Sequence, residues 1–215
     1  RKVLEKIVRD DVSNEKFKFR DSRRMFVGGV PAIINRISFT GELGYEIYVA
    51  PHYQLKLYEE LMEAGKEFNI KPFGGRALMS MRLEKNWGAW TLDYRPDFTA
   101  KETGLDAFIN WDKEFIGKES AQKENSSNKL VPLIVETNEI DVTNNEAVLN
   151  GDQSIGYVTS GGFAHFVNKS VAFTFVDQKN IKSENKIQVE INGDLFNCSI
   201  IKEPLYDPSG QKMRS

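Results

Sequence analysis

The spacing of apolar residues divides the chain into two differently built parts. In the first part, three stretches carry apolar side chains at the spacing of an amphipathic helix, and two runs rich in β-branched and aromatic residues lie between the first two stretches. Gly28-Gly29 separates these runs, and such a pair is typical of a tight turn between antiparallel strands. The predicted elements are helices over residues 1–9, 53–68 and 76–85 and strands over residues 22–27 and 30–39.

From residue 130 onward, the pattern changes to short β-type runs without an intervening helix. Asn150-Gly151-Asp152 and Asn192-Gly193-Asp194 interrupt these runs, and Asn-Gly favours the tight turn of a β-hairpin. Short strands separated by turn residues are typical of small barrels and sandwiches. The predicted strands cover residues 130–136, 147–150, 154–160, 170–176, 186–191 and 195–201. The polar segment 122–129 lacks apolar periodicity, which favours a linker before this second domain.

The segment 36–51 contains the predicted hairpin around which the first domain is organised. Residues 41–44, Gly-Glu-Leu-Gly, lie between two runs suited to strands, and glycine adopts positive φ without a Cβ clash. We therefore predict a hairpin whose loop is formed by these residues. The predicted cross-strand pairs are Thr40 with Tyr45, Phe39 with Glu46 and Ile37 with Tyr48.

Glu46 is a carboxylate on a predicted face that is otherwise apolar, because side chains alternate along a strand and Ile37, Phe39 and Tyr48 share that face. An unpaired buried charge is costly, so the carboxylate needs partners. One possibility is an arginine, a lysine or backbone N–H groups of the protein itself. The other is a ligand with two adjacent N–H donors in one plane, such as the edge of a pterin or guanine beside the Phe39 ring. The spacing of the residues leaves both possibilities open.

Residues 38–46, Ser-Phe-Thr-Gly-Glu-Leu-Gly-Tyr-Glu, resemble the tetrahydrofolate-binding hairpin of the aminomethyltransferase family, which includes the T-protein of glycine cleavage. They are still more similar to the folate domains of dimethylglycine and sarcosine dehydrogenases, and the similarity runs along nearly the whole chain. Residues 113–120, Lys-Glu-Phe-Ile-Gly-Lys-Glu-Ser, resemble the junction before the last domain of that family. The resemblance implies an α+β fold, with an incomplete T-protein-like folate-binding domain of antiparallel sheet plus helices over residues 1–121 and a small all-β barrel over residues 130–215.

The resemblance also implies tetrahydrofolate-dependent one-carbon transfer, with 5,10-methylenetetrahydrofolate formed from an N-methyl amine such as dimethylglycine or sarcosine. The chain would be the C-terminal part of a larger flavin-linked dehydrogenase, with FAD bound only by a domain outside this chain. The alternatives are a stand-alone aminomethyltransferase of glycine cleavage, a folate-dependent demethylase, and a non-catalytic folate-binding or scaffold module. Because the chain begins at Arg1 without a methionine, we expect a fragment that is inactive alone, joined to an upstream part of the same polypeptide.

Five residues are implied as folate contacts by their places in family motifs. Glu46 matches, residue for residue, the glutamate that accepts hydrogen bonds from the pterin ring. Phe39 stands where relatives often carry tyrosine, and Trp90 and Tyr94 lie in a segment similar to the family's loop beside the folate. Arg76 lies two residues before the place of the T-proteins' folate-contacting arginine, as in the dehydrogenase-fused branch. The family's catalytic aspartate lies upstream, so no catalytic residue is assigned in this chain.

Composition and charge argue against several other classes of protein. The formal net charge is −2, and no excess of basic residues marks a nucleic-acid surface. No apolar run is long enough to span a bilayer, and no signal-peptide pattern opens the chain. The two histidines argue against a zinc site made by protein side chains alone, and the single cysteine fits a reducing compartment. We expect a protein without metal, nucleic-acid or membrane partners, located in the cytoplasm or, in a eukaryote, in the mitochondrial matrix.

Several chemically capable residues are assigned structural roles. Arg82 and Glu84 are predicted to form structural ion pairs. His165 has no second histidine or paired carboxylate within reach of a sequence argument, and Cys198 lies in a β pattern as a small apolar residue. Residues 159–162, Thr-Ser-Gly-Gly, resemble a segment of the dehydrogenase-fused branch, and their glycines indicate a turn or a close backbone approach.

Overall fold

A computed structural model describes residues 1–137, 139–181 and 187–215. Residues 1–79 and 207–215 pack as one compact unit, and residues 80–206 as a second. The helices are Lys2–Ile7 (α1), Gln54–Gly65 (α2), Gly75–Glu84 (α3), Lys118–Lys123 (α4) and Gln211–Arg214 (α5). The strands are Ser22–Val27 (β1), Val30–Asn35 (β2), Glu46–Tyr48 (β3), Asn128–Val135 (β4), Ala147–Asn150 (β5), Gln153–Ala164 (β6), Lys169–Asp177 (β7), Ile187–Ile191 (β8) and Asp194–Ile200 (β9). The boundaries inferred from the sequence, 1–121 and 130–215, describe domains rather than packing units, and they stay a prediction.

The first unit is a three-stranded antiparallel sheet, in the order β1-β2-β3, with one face covered by helices. Alternation along β1 and β2 buries every second side chain, as the apolar pattern predicts. The buried side chains of the sheet pack with Leu4 of α1 and Leu57 of α2, which present the apolar sides of those helices. The core of this unit comprises Leu4, Val12, Phe17, Met25, Val27, Ala32, Ile34 and Leu57.

The predicted register of the hairpin is wrong. The strand β2 ends at Asn35, so Asn35 lies opposite Glu46, and Ile33 lies opposite Tyr48. Residues 36–45 form the connecting loop, which is longer than the loop at residues 41–44 inferred from the two glycines. Phe39 and Ile37 therefore do not pair with β3, and the residues that share a face with Glu46 come from an earlier part of β2.

The end of β2 is set by Arg36, which sequence spacing did not single out. Its side chain is buried, and its guanidinium donates hydrogen bonds to the backbone carbonyls of Phe17 (2.5 Å) and Arg214 (2.9 Å). The backbone N–H of Arg36 donates to the carbonyl of Asp21. A buried guanidinium with carbonyl acceptors fixes the chain here, because losing those acceptors would leave a desolvated charge.

The second unit is a closed barrel in which the strands follow the order β4-β7-β6-β5-β8-β9 and β9 pairs with β4. All six predicted strands are present, although Lys186 at the start of one prediction lies outside the described residues. At the predicted turn between β8 and β9, Asn192 and Gly193 both have positive φ (+53° and +92°), as a two-residue hairpin turn requires. The predicted α+β class, an antiparallel sheet with helices followed by a small barrel, is confirmed.

The strand β6 continues through Gly161-Gly162, so this pair is not a turn. A Cβ atom on Gly161 would lie 2.7 Å from the carbonyl oxygen of Val142. The alternative of a close backbone approach is therefore the correct one at this position. The interior of the barrel is filled by apolar side chains from β4 to β8, including Leu133, Val148 and Val189.

Gly156, near the start of β6, gives a test of the packing of the barrel. A Cβ atom here would lie 2.1 Å from the carbonyl oxygen of Phe175 and 2.6 Å from the side chain of Val176. Since the nearest atom belongs to the backbone of a paired strand, Gly156→Ala is expected to destabilise the barrel by about 1–3 kcal/mol. Thermal unfolding should show this loss, whereas Gly74→Ala, where no atom lies within 4 Å, should leave the melting temperature nearly unchanged.

Candidate functional site

Glu46 is half-buried, and its carboxylate has a hydrogen-bond partner, which lies on the same strand. The phenolic hydroxyl of Tyr48 donates a hydrogen bond of 2.5 Å to its Oε2. This bond stabilises the neutral phenol beside a negative charge, and it raises the pKa of Tyr48 above its ordinary value. Within the described ranges, no lysine or arginine forms an ion pair with Glu46. Among the described residues, a tyrosine hydroxyl rather than a cation is therefore the partner of this carboxylate.

The sheet face that carries Glu46 is open and mixed in polarity. The exposed side chains of Phe26 (64%), Ile33 (39%) and Tyr48 (54%) lie on this face, opposite the core, whereas Asn35 lies opposite Glu46 itself. A cavity of about 660 Å³ lies over the apolar part of this face. The lining residues are Asp10, Arg24, Met25, Phe26, Pro31, Ala32, Ile33, Tyr48, Val49 and Ala50. Glu46 is not among them, but its hydrogen-bond partner Tyr48 is, and aromatic and aliphatic walls with a few polar groups are typical of a pocket for a flat, hydrogen-bonding ligand.

The structure separates the other two candidates of the first unit from this sheet face. Phe39 lies in the loop 36–45 and is half-buried, so it does not share the strand face with Glu46. Arg76 lies in the first turn of α3 and is exposed, and it has no ion-pair partner among the described residues. The roles of both residues as folate contacts stay predictions.

The two candidates of the second unit, Trp90 and Tyr94, lie together. Their rings meet edge to face with centroids 5.6 Å apart, and the Trp90 side chain is 75% exposed. The backbone N–H of Gly88 donates a hydrogen bond of 3.2 Å to the Tyr94 hydroxyl. Burial raises the pKa of Tyr94 above its ordinary value, because the charged phenolate is disfavoured there. Trp90 is thus an exposed indole held against a partly buried phenol.

Asp93, between these two aromatics, was missed by sequence reasoning. Its side chain is completely buried and forms an ion pair of 2.8 Å with Arg82. The ion pair predicted for Arg82 is therefore confirmed, and its partner is Asp93. Glu84 instead accepts a hydrogen bond from the backbone N–H of Phe166 at 2.6 Å. Neither spacing nor composition marks Asp93, because its partners lie in other segments of the chain.

The remaining polar candidates have surroundings that suit structural roles. The ring of His165 meets Phe163 edge to face at 5.1 Å. Cys198 packs against the interior of the barrel, and burial raises the pKa of its thiol to about 12. In the described ranges, no group of three or more histidine, cysteine, aspartate or glutamate side chains is placed to hold a metal ion. No helix in these ranges has both the length and the apolar character needed to cross a membrane.

Two family models match this chain. The GCVT N-terminal domain matches residues 1–113, and the glycine cleavage T-protein C-terminal barrel domain matches residues 128–207. The crystal structure of the glycine cleavage system aminomethyltransferase T from Bartonella henselae superimposes with a TM-score of 0.74 at 24% identity, over 82% of this chain and 50% of that one. This likeness shows that the two proteins share a fold.

Curated relatives of two kinds align along almost the whole chain. Mitochondrial dimethylglycine dehydrogenase from Homo sapiens is 35% identical over 210 residues, which are 95% of this chain and 24% of the relative. The aminomethyltransferase of Bacillus mycoides (strain KBAB4) is 33% identical over 212 residues, which are 96% of this chain and 57% of the relative. The chain thus spans about a quarter of the first kind of relative and just over half of the second.

Proposed function

Since the chain belongs to the glycine cleavage T-protein family of folate-dependent aminomethyltransferases, we propose that it binds tetrahydrofolate for one-carbon transfer from an N-methyl amine such as dimethylglycine or sarcosine. The product would be 5,10-methylenetetrahydrofolate. The observation that carries this proposal is the Glu46 carboxylate, which has no cationic partner in the described residues and is held by Tyr48, a lining residue of the cavity on the exposed sheet face.

The residues present fit the chemistry of a reduced pterin. A pterin edge offers neighbouring N–H donors, and a carboxylate can accept two such bonds side by side. Tyr48 donates to one oxygen of Glu46, which fixes the carboxylate and leaves acceptor positions for a ligand. Phe26 and Ile33 give the same face the apolar surface that a flat ring needs.

The contribution of this chain to the reaction would be binding and orientation. Tetrahydrofolate, when bound, supplies the amine nitrogens that accept the one-carbon unit. Glu46 would hold the ring edge, and the apolar face would exclude water. Holding two reactants in a productive geometry can remove about 7–11 kcal/mol from a barrier. We assign no acid or base to this chain, and Phe39, Arg76, Trp90 and Tyr94 are proposed as further folate contacts.

The similarity to dimethylglycine dehydrogenase supports a partnership with a flavin domain outside this chain, either in the same polypeptide or as a separate subunit. That domain would bind FAD as the two-electron oxidant of the methylated amine, and the one-carbon unit released at the formaldehyde level would pass to tetrahydrofolate. The expected location is the cytoplasm, or the mitochondrial matrix in a eukaryote.

A stand-alone aminomethyltransferase is the second candidate, and the 33% identity to the enzyme of Bacillus mycoides supports it. The flavin-linked dehydrogenase and the stand-alone aminomethyltransferase differ in the source of the one-carbon unit. Formation of 5,10-methylenetetrahydrofolate from dimethylglycine, with the flavin in the same polypeptide or on a separate subunit, supports the dehydrogenase. Its formation without any flavin, from the aminomethyl group of glycine cleavage, supports the stand-alone enzyme. A folate-dependent demethylase would act on another methylated donor, and a scaffold module would bind folate without turnover.

Folate binding is tested by thermal shift on the polypeptide as the cell makes it. Tetrahydrofolate at 100 times its dissociation constant should stabilise the protein by about 2.7 kcal/mol. The matched control is p-aminobenzoylglutamate, which has the tail of the folate and lacks the pterin. Stabilisation by tetrahydrofolate alone supports the proposal. No shift with tetrahydrofolate, or an equal shift with both compounds, contradicts it.

A further inference from the structure

Trp90, whose indole is exposed, lies in a short turn in which several backbone N–H groups donate hydrogen bonds to one carbonyl. The N–H groups of Asp93 and Tyr94 both donate to the carbonyl of Ala89, at 2.9 Å and 3.1 Å. The N–H of Thr91, which has a positive φ of +70°, donates to the carbonyl of Tyr94. The same turn thus contains a buried carboxylate, that of Asp93, and the exposed indole of Trp90.

The carboxylate of Asp93 ties this turn to two other segments. Its Oδ2 accepts hydrogen bonds from the Arg82 guanidinium of α3 and from the N–H of Ala89, both at 2.8 Å. Its Oδ1 accepts from the hydroxyls of Thr159 (2.5 Å) and Ser160 (2.7 Å), both of β6. The donors come from α3, from the turn itself and from β6, so the carboxylate fixes the turn relative to the barrel wall.

A β-bulge allows two consecutive residues of β6 to reach the same oxygen. Neighbouring side chains on a regular strand point to opposite faces. Here Val158 pairs with Thr174 and Ser160 pairs with Phe173, so Thr159 is an extra residue without its own partner on β7. Bulges of this kind re-aim side chains, often beside functional sites. The bulge turns both hydroxyls toward Asp93, where a regular strand would present only one.

We propose that Thr159 and Ser160 are positioning residues that act through Asp93 to hold the Trp90 indole in place for a ligand. One strand of the barrel would then fix the aromatic contact that Trp90 makes with the ligand. This inference rests on the proposed function for its ligand, tetrahydrofolate. The positioning of Trp90 can be measured without any ligand.

The test removes the hydroxyls and keeps the shape of the strand. The variant is Thr159→Val/Ser160→Ala, made in a Trp87→Phe/Trp111→Phe background so that Trp90 is the only tryptophan among these 215 residues, and any tryptophan of adjoining sequence is likewise replaced by phenylalanine. Without two of the four donors to Asp93, the turn should loosen. Trp90 fluorescence anisotropy should fall, quenching by acrylamide should rise, and tetrahydrofolate affinity should fall about fivefold.

The matched control is Thr174→Val/Ser170→Ala on β7. Both residues are buried in the same barrel, and the Thr174 hydroxyl donates to the carbonyl of Val131 rather than to Asp93. This control makes the same chemical changes and should lower the melting temperature without changing Trp90 anisotropy or folate affinity. A structural role alone predicts equal effects for the two variants.

The outcomes separate this inference from the function on which it rests. Unchanged Trp90 anisotropy in Thr159→Val/Ser160→Ala overturns the positioning role. Lower anisotropy with unchanged folate affinity overturns the role of the turn in ligand binding. If the parent protein does not bind tetrahydrofolate, the proposed function fails, whereas the anisotropy comparison still decides whether the barrel holds Trp90.

Discussion

Replacing Glu46 with glutamine is expected to weaken tetrahydrofolate binding by about 10- to 100-fold, because a hydrogen bond to a charged group contributes about 1.5–3 kcal/mol. The amide removes the negative charge and turns an N–H₂ donor toward the N–H donors of the pterin edge. The hydrogen bond from Tyr48 can be kept by the amide oxygen, so the fold of β3 should change little. Isothermal titration calorimetry of the two proteins measures the loss directly.

The control for this experiment is Glu59→Gln, which makes the same chemical change on an exposed side chain of α2. It should leave the dissociation constant and the melting temperature unchanged. Equal affinities for the parent protein and Glu46→Gln would show that this carboxylate does not bind the pterin edge. A parallel loss in Glu59→Gln would show that net charge, rather than a specific contact, governs binding.

Arg82→Leu is expected to destabilise the second unit by about 3–5 kcal/mol, since removing one partner of a buried ion pair leaves an uncompensated charge. Both side chains of the Arg82–Asp93 pair are almost completely buried, at 1% and 0% exposure. Desolvation lowers the pKa of Arg82 from its ordinary value, and the charge of Asp93 opposes that shift. Urea unfolding of Arg82→Leu, Asp93→Leu and the double variant forms the double-mutant cycle that isolates the coupling between the two residues.

The double variant should lose much less stability than the sum of the two single variants, because it leaves no unpaired charge. The comparison pair is Lys56 and Glu60, which lie four residues apart on the surface of α2. Lys56→Ala should leave the urea midpoint nearly unchanged, as for other exposed helix pairs. Additive losses at Arg82 and Asp93 would contradict the view that the two charges form one buried unit.

Local signals predicted most of the fold. The six strands of the barrel and the Asn192-Gly193 turn follow from residues that are close in sequence, since turn chemistry and alternation act over a few positions. The turn at Gly28-Gly29 between β1 and β2 follows in the same way, and both glycines have positive φ. These elements are local in origin, and the largest difference among the barrel strands is at β6, which continues to Ala164 where the prediction ended it at Ser160.

The end of β2 could not be predicted, because its cause is distant in sequence. Arg36 is anchored by the carbonyl of Arg214, which lies 178 positions along the chain. The glycines at 41 and 44 suggested a shorter loop, and no local pattern opposed that choice. The observed pairing places Ile33 opposite Tyr48 where the prediction placed Ile37, a shift of four residues. An even shift keeps the alternation of faces, so Glu46 still shares a face with Tyr48, but the polar Asn35 replaces Phe39 opposite it.

The candidate site was predictable only where its signals are local in sequence. Glu46 was identified from the alternation of its strand and from the resemblance of residues 38–46 to a folate-binding hairpin. Tyr48, which orients the carboxylate, lies on the same strand and was not assigned a role. Asp93 was not found at all, since the partners of its side chain lie 4, 11, 66 and 67 positions away.

The extra residue in β6 leaves a mark that can be followed across related barrels. Deleting Thr159 would let Val158 and Ser160 follow each other as regular partners of Thr174 and Phe173, so the later side chains of β6 would keep their faces. The strand would then present one hydroxyl to Asp93 instead of two. Homologous barrels can therefore be compared by whether they keep this residue, because a barrel without it would hold the carboxylate with one donor fewer.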